Sequence, residues 1–277
     1  GVELSIESQN IIRPKFHWST TLTMSHNDQM VDDIGSEDFI SAYNSPGNNP
    51  YMMYGYVKGY PLNSLWGFKY GGTWKNAEER AENKITKTYV SPSNSDGGPR
   101  YYDINHDGVM SKEDLIYQGN ADPYLYGGLQ NTFYIYGLKV GVYFAYSLGG
   151  KIYNYSEIYM AGSQFSNQYR YMLDAWHPVR NPDSDIPRAG AKSDAALPSD
   201  FMIHDASYLR LKNVTLSYTF DLRKKCSWLK DLTLSVSGEN LYLWKKYNGF
   251  DPDVSSEGTS STLRRMDLGA YPKPRTI

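Results

Sequence analysis

"YLYGGLQNTFYIYGLKVGVYFAYSLGG" (residues 124–150) contains two runs of alternating character separated by Tyr136-Gly137. In the second run Val140, Val142, Phe144, Tyr146 and Leu148 share one side. Lys139, Gly141, Tyr143 and Ala145 share the other. A period of two belongs to a β-strand, where successive side chains point to opposite faces. The stretch therefore reads as an antiparallel β-hairpin turning at Tyr136-Gly137, and it sets the fold class as all-β.

The same period recurs along the chain. Val2, Leu4 and Ile6 oppose Glu3, Ser5 and Glu7. After "RPK" (13–15), "HWSTTLTMSHN" (17–27) puts Trp18, Thr20, Leu22 and Met24 on one face. "SYLRLKNVTLSYTF" (207–220) alternates around a bulge at Lys212-Asn213, and "LTLSVSGENLYLW" (232–244) alternates again. Each arm has about 10 to 14 residues, against ~5–6 for ordinary strands. That is enough to cross a bilayer at a tilt.

Two kinds of connection separate the arms. Short ones lie at 13–15, 136–137 and 221–231, and long ones at 28–121, 151–205 and 247–270. They alternate, as tight inner turns and long outer loops do in an outer-membrane barrel. A β-sandwich with insertions is the alternative, although loops this long are seldom idle connections. With the short turns on the inner side, parity places "SLWGFKYGG" (64–72) in the outer loop and not across the membrane. "YPKPRTI" (271–277) then begins one more inward strand, cut short, whose "RTI" pairs with 232–244.

Net charge is −2, so no basic field points to nucleic acid. A single cysteine, Cys226, rules out an internal disulfide framework. Tyrosine is abundant, 26 of 277 residues beside 24 glycines. Its polar tip suits two wet places: the girdles of membrane barrels and carbohydrate-binding surfaces. Trp18, Tyr146, Tyr153, Tyr218, Tyr242 and Trp244 fall near strand ends, where a girdle is expected.

Candidate chemistry is concentrated in the loops. "DINHDGVMSKED" (103–114) has oxygen ligands at the spacing of an EF-hand calcium loop. Asp103, Asn105 and Asp107 take positions one, three and five, Gly108 the sharp turn, and Val109 offers its carbonyl at seven. Ser111 stands at nine, and Asp114 replaces the usual glutamate at twelve, which shortens bidentate reach. "GGPRYY" before it and "LIYQGN" after it are not helical, which argues against a calcium sensor, since a sensor needs helices to swing. A structural calcium and a metal-free Asx-rich turn both remain open, and no cofactor is required. In 51–74, Tyr54, Tyr56, Tyr60, Trp66 and Trp74 are candidates to stack on sugars or pack on a partner. Alternatively they fold the loop onto itself. Asp251 and Asp253 flank Pro252 and could serve a glycosidase, but paired acids at this spacing in a loop read better as turn formers. They are kept as substrate or partner contacts. The chain has no HExxH, Gly-rich phosphate loop or GxSxG elbow, so it is expected not to be an enzyme.

Ordered motifs then point to a family. "SVSGENLYLWKKYNGFDPDVSS" (235–256), followed by "GAYPKPRT" (269–276), resembles the C-terminal end of SusC/RagA-type TonB-dependent outer-membrane transporters. "LKNVTLSYTF" (211–220) is similar to the family's penultimate inward strand. "DINHDGVMSKED" with the hairpin that follows (119–154) is similar to its loop and hairpin. The resemblance covers nearly the whole chain. It implies that residues 1–277 are the C-terminal part of a ~22-strand transmembrane β-barrel, beginning at an even-numbered strand, sixteen. Residues 28–121 would be a long extracellular loop carrying the EF-hand-like turn. The implied function is import of glycans or peptides across the bacterial outer membrane, with a SusD-like surface lipoprotein and barrel contacts to outer-membrane lipid. The TonB complex would act through a plug domain that is not in this chain. The alternative is a self-contained secreted glycan-binding β-domain.

Overall fold

The computed structural model describes residues 1–41, 54–82, 85, 87–88, 95–160, 167–189, 197–223, 228–256 and 264–277; Cys226 lies outside them. Six long strands carry the fold: β1 (Val2–Arg13), β2 (Phe16–His26), β3 (Leu125–Ile135), β4 (Leu138–Leu148), β5 (Tyr208–Asp221) and β6 (Asp231–Lys245). They form one sheet in chain order, each antiparallel to the next. Sequential hairpins produce this order because neighbours in the chain need only a short turn to pair. Pairing between β4 and β5 slips by one residue between Tyr143 and Phe144, opposite Lys212. Pairing between β5 and β6 slips between Leu211 and Asn213. The bulge therefore sits where the sequence placed it.

The register sorts the side chains into two unlike faces. Ile6, Leu22, Leu129, Phe144, Leu211 and Tyr242 form one cross-strand row spanning all six strands. Trp18, Phe133, Val140, Leu216 and Val236 form another on the same face. The opposite face runs Glu7, Thr21, Gln130, Tyr143, Asn213 and Glu239. Much of the apolar face is open, with Val2 at 68%, Leu234 at 59% and Val236 at 54% exposure. A sheet packed against a protein core would cover such residues; a barrel wall leaves them for lipid. Polar groups on this face satisfy one another: Trp18 Nε1 (3.0 Å) and Thr20 Oγ1 (2.8 Å) both donate to Asn131 Oδ1. Tyr146, Tyr242 and Trp244 lie toward the long-loop end of the apolar face, and Trp18 and Tyr218 toward the short-turn end. Two aromatic belts result.

Tyr136 and Gly137 join β3 to β4 with φ of 50° and 91°. Two consecutive left-handed residues match the right-handed twist of the strands they connect. Gly137 carries no Cβ penalty in that region. Gly137→Ala is expected to destabilise the full-length protein by about 1–2 kcal/mol, read as a lowered urea midpoint in detergent.

Most of the fully buried side chains lie not in the sheet but in a cap over its long-loop end. Ser64–Gly67 pairs with Ile116–Asn120, and Tyr70–Thr73 with Pro99–Tyr101. Residues 64–72 thus stay in the loop, as parity required. One cluster joins Tyr54, Leu65 and Ala121 with Tyr153, Tyr155, Met202 and Met266, drawing on all three long loops. A second gathers Phe68, Tyr101, Met110 and Leu197. Tyr153 is therefore cap core and not girdle, a correction with a local cause. Gly149 and Gly150 (φ 74° and 76°) turn the chain off the sheet just after β4 ends. On the free edge of β6, Thr276 and Glu239 exchange backbone hydrogen bonds of 2.7 and 3.2 Å, so "RTI" meets β6.

Candidate functional site

Where the cap meets the polar face of the sheet there is a cleft of about 550 Å³. Most of its strand walls are polar-face residues: Thr23 and Ser25 on β2, Tyr126 on β3, Tyr143, Ala145 and Ser147 on β4, and Tyr208 on β5, with Tyr146 reaching it from the other face past Gly127. Alternation along each strand aims every second side chain into this space. The cap adds Asp122, Asp253, Arg264 and Arg265 at the rim. A volume of this size fits a small organic group such as one or two sugar rings.

Charged side chains fix the rim. Arg264 donates to Asp122 at 2.8 Å, and Asn63 donates to the other oxygen of Asp122 at 2.7 Å. Arg265 donates to Ser147 Oγ at 2.7 Å and to the Gly149 carbonyl at 3.3 Å. It is held with φ of 57°, a left-handed conformation uncommon for an arginine. Burial lowers the Arg265 pKa from its ordinary value, opposed by nearby Tyr208, Asp253 and Asp122. Behind the rim Arg210 and Asp251, 4% and 2% exposed, form a buried ion pair: one guanidinium nitrogen lies 2.7 and 2.9 Å from the two carboxylate oxygens. Asp253 N–H also donates to Asp251 at 3.0 Å, while Lys273 pairs with Asp253. Loop 247–270 is thereby pinned to β5 and to the segment that follows it.

A second polar node ties two loops together. Glu157, 1% exposed, accepts from Tyr171 (3.1 Å) and Asn248 (3.0 Å) and lies 2.8 Å from His204 Nε2. Beside it Tyr247 donates to Asp267 at 2.7 Å. Burial first, and Asp267 next, push the Tyr247 hydroxyl well above the usual phenol range.

The EF-hand-like loop closes on its own backbone. Asp103 accepts the N–H groups of His106 and Gly108, both at 2.8 Å. Asn105 accepts from Asp107 N–H at 3.1 Å, and Asp107 from Val109 N–H at 2.7 Å. Asp114, fully buried, accepts from Ile104 and Ser111, both at 2.8 Å. Among the described residues no three acidic, histidine or cysteine side chains converge as a metal set. The loop keeps its shape through nested Asx turns, and its carboxylates retain lone pairs that could face a cation.

The aromatic candidates are divided between core and surface. Tyr54, Trp66 and Trp74 are buried within the cap. Tyr54 donates to the Arg264 carbonyl at 2.9 Å, and the Arg100 guanidinium lies 5.6 Å from the Trp74 ring. Tyr60 is 37% exposed and packs edge-on to Trp66; Tyr56 is half-buried. Of the two loop acids, Asp251 is buried in its ion pair and only Asp253 reaches the cleft. Sequence reasoning missed Arg210, Arg264, Arg265, Asp122 and Tyr208. Alternation could have placed Tyr143, Tyr208 and Arg210 on the polar face, but nothing local marks Arg264 and Arg265, which depend on how the cap folds.

No family model matches the chain. Curated relatives do, along its whole length. The chain is 32% identical over 288 residues to TonB-dependent receptor P26 of Formosa agariphila, covering 100% of the chain and 28% of that relative. To TonB-dependent receptor SusC of Bacteroides thetaiotaomicron it is 26% identical over 286 residues, covering 100% of the chain and 25% of SusC. In three dimensions it superposes on the RagAB peptide transporter with a TM-score of 0.69 at 20% identity, over 90% of the chain and 26% of that structure. The sheet with its cap has the fold of a β-barrel segment. Its sequence is similar along its whole length to TonB-dependent receptors, SusC among them, and it spans about a quarter of the length of the relatives it matches.

Proposed function

We propose that this chain is the C-terminal wall and outer cap of an outer-membrane transporter that imports glycans or peptides. One observation carries the reading: a six-strand antiparallel wall is largely apolar on one face and largely polar on the other, with a folded cap at its long-loop end. Lipid matches the first face, a polar lumen the second, and a solute arriving from outside the cap. The role is binding and passage, not bond chemistry. By kinship with SusC, a SusD-like lipoprotein would seat on the cap, and the TonB complex would supply energy through a plug domain elsewhere in the polypeptide. The bacterial outer membrane is the corresponding location.

Uptake of labelled oligosaccharides and oligopeptides by cells carrying the full-length receptor tests this reading. Uptake should vanish when TonB is deleted, and persistence without TonB refutes it. A simpler test uses residues 1–277 alone. Unpaired strand edges and an open apolar face should make this segment aggregate without detergent. A monomer by size-exclusion chromatography, melting cooperatively by circular dichroism, would favour a secreted glycan-binding domain instead.

We also propose that a structural calcium ion can be held by Asp103, Asn105, Asp107, the Val109 carbonyl and Asp114. Excess calcium should then raise the melting temperature of the full-length receptor relative to chelator, with Asp103→Ala removing the difference. Equal melting in calcium and chelator leaves only the Asx-turn role.

A further inference from the structure

We propose that the cleft under the cap is a subsite for a carboxylate borne by the imported solute, with Arg265 as the group that binds it. The inference rests on the transport reading above and names the chemistry of that site. Of the two cations that line the cleft, Arg264 is matched to Asp122, and behind the rim Arg210 pairs with Asp251 and Lys273 with Asp253. Arg265 is the exception, for its described bonds go only to the neutral Ser147 hydroxyl and the Gly149 carbonyl. A half-buried guanidinium whose hydrogen bonds go to neutral groups, with Asp122 and Asp253 acting on it only through space, keeps donor capacity for an incoming oxyanion.

Its position serves that purpose. Ser147 lies on the polar face of β4 within the cleft, so the bond to it draws the guanidinium over the cleft wall. Arg265's left-handed backbone directs it there, while the next residue, Met266, is anchored in the cap core. The same wall carries Tyr126 and Tyr208 on either side of Ser147, and Tyr143 further along the strand, whose rings offer flat surfaces beside the guanidinium. Asp122 and Asp253 also border the cleft, but each is held by a cation of its own, which reduces their repulsion of an anion. A carboxylate on a sugar ring or at a peptide's end would bond to Arg265 with its neutral remainder against the tyrosines.

The experiment uses purified full-length receptor and two matched pairs of probes: a glucuronate-ended disaccharide against its glucose-ended twin, and Ala-Asp against Ala-Asn. Calorimetric titration should show at least one acidic probe binding ~10-fold or more tightly than its neutral twin. Arg265→Gln should erase the preference, Arg265→Lys should keep part of it, and rising salt should weaken it. Ser147→Asp gives a second route, since it places a carboxylate beside the guanidinium while leaving Arg265 in place; it too should erase the preference. Equal binding within both pairs, no binding of any probe, or a preference that survives in both Arg265→Gln and Ser147→Asp would each overturn the proposal. So would a loss of melting temperature in ligand-free Arg265→Gln with the acid preference intact, which would mark the arginine as an internal brace. TonB-dependent uptake of a neutral solute alongside equal probe binding would sink the carboxylate subsite and leave the transporter reading standing.

Discussion

Arg210→Ala is expected to lower the stability of the full-length receptor by about 3–5 kcal/mol, the largest single effect of any cap contact. The reason is the charge it leaves behind. Asp251 is 2% exposed and would keep only the Asp253 N–H as a described donor. A buried carboxylate without its cation must stay charged in a poor dielectric or take up a proton, and both are costly. The attraction within the pair is largely offset by desolvation, so the penalty comes from breaking it. Replacing both partners, with Arg210→Met and Asp251→Leu, should therefore recover most of the loss. Denaturant midpoints in detergent, followed by tryptophan fluorescence, measure all three variants. A single-variant loss under ~1 kcal/mol would mean that water reaches the pair.

Val214→Arg should cost about 2–4 kcal/mol in a membrane, whereas Thr215→Arg should cost about 1 kcal/mol or less. The two positions are neighbours, but the strand sends their side chains to opposite faces. Val214 pairs with Val142 and Gly238 on the apolar face near the middle of the wall. Thr215 faces the polar side, where its hydroxyl donates to Asn213 at 2.9 Å. Folding yield into lipid vesicles, scored by heat-modifiable migration, separates the two. Equal losses, or the reverse order, would mean that the apolar face does not contact lipid.

The wall was legible in the sequence because a period of two survives everything local: Val140, Val142 and Phe144 could share a face only in a strand. Even the bulge at Lys212-Asn213 shows in the pattern, as a skipped beat between Leu211 and Val214. The cap was not legible, since its order comes from contacts across more than a hundred residues. Tyr153 looked like a girdle residue by its nearness to a strand end, and two glycines carried it into the cap core. The motif at Asp103 was recognisable and its turn geometry followed, because Asx turns are local. Arg265 had no signature at all. Its meaning lies in which acids its neighbours have already taken.

Wall and cap are built on different rules, and this bears on how such a protein diversifies. The wall's pairings run between chain neighbours and depend little on the side chains above them. The cap's buried clusters draw on all three long loops, so a new cap would require those loops to change together over an unchanged wall. A transplanted 247–270 loop must still bring an acid to meet Arg210. That electrostatic requirement, beside the packing of Met266 in the cap core, restricts which loops can sit over this wall.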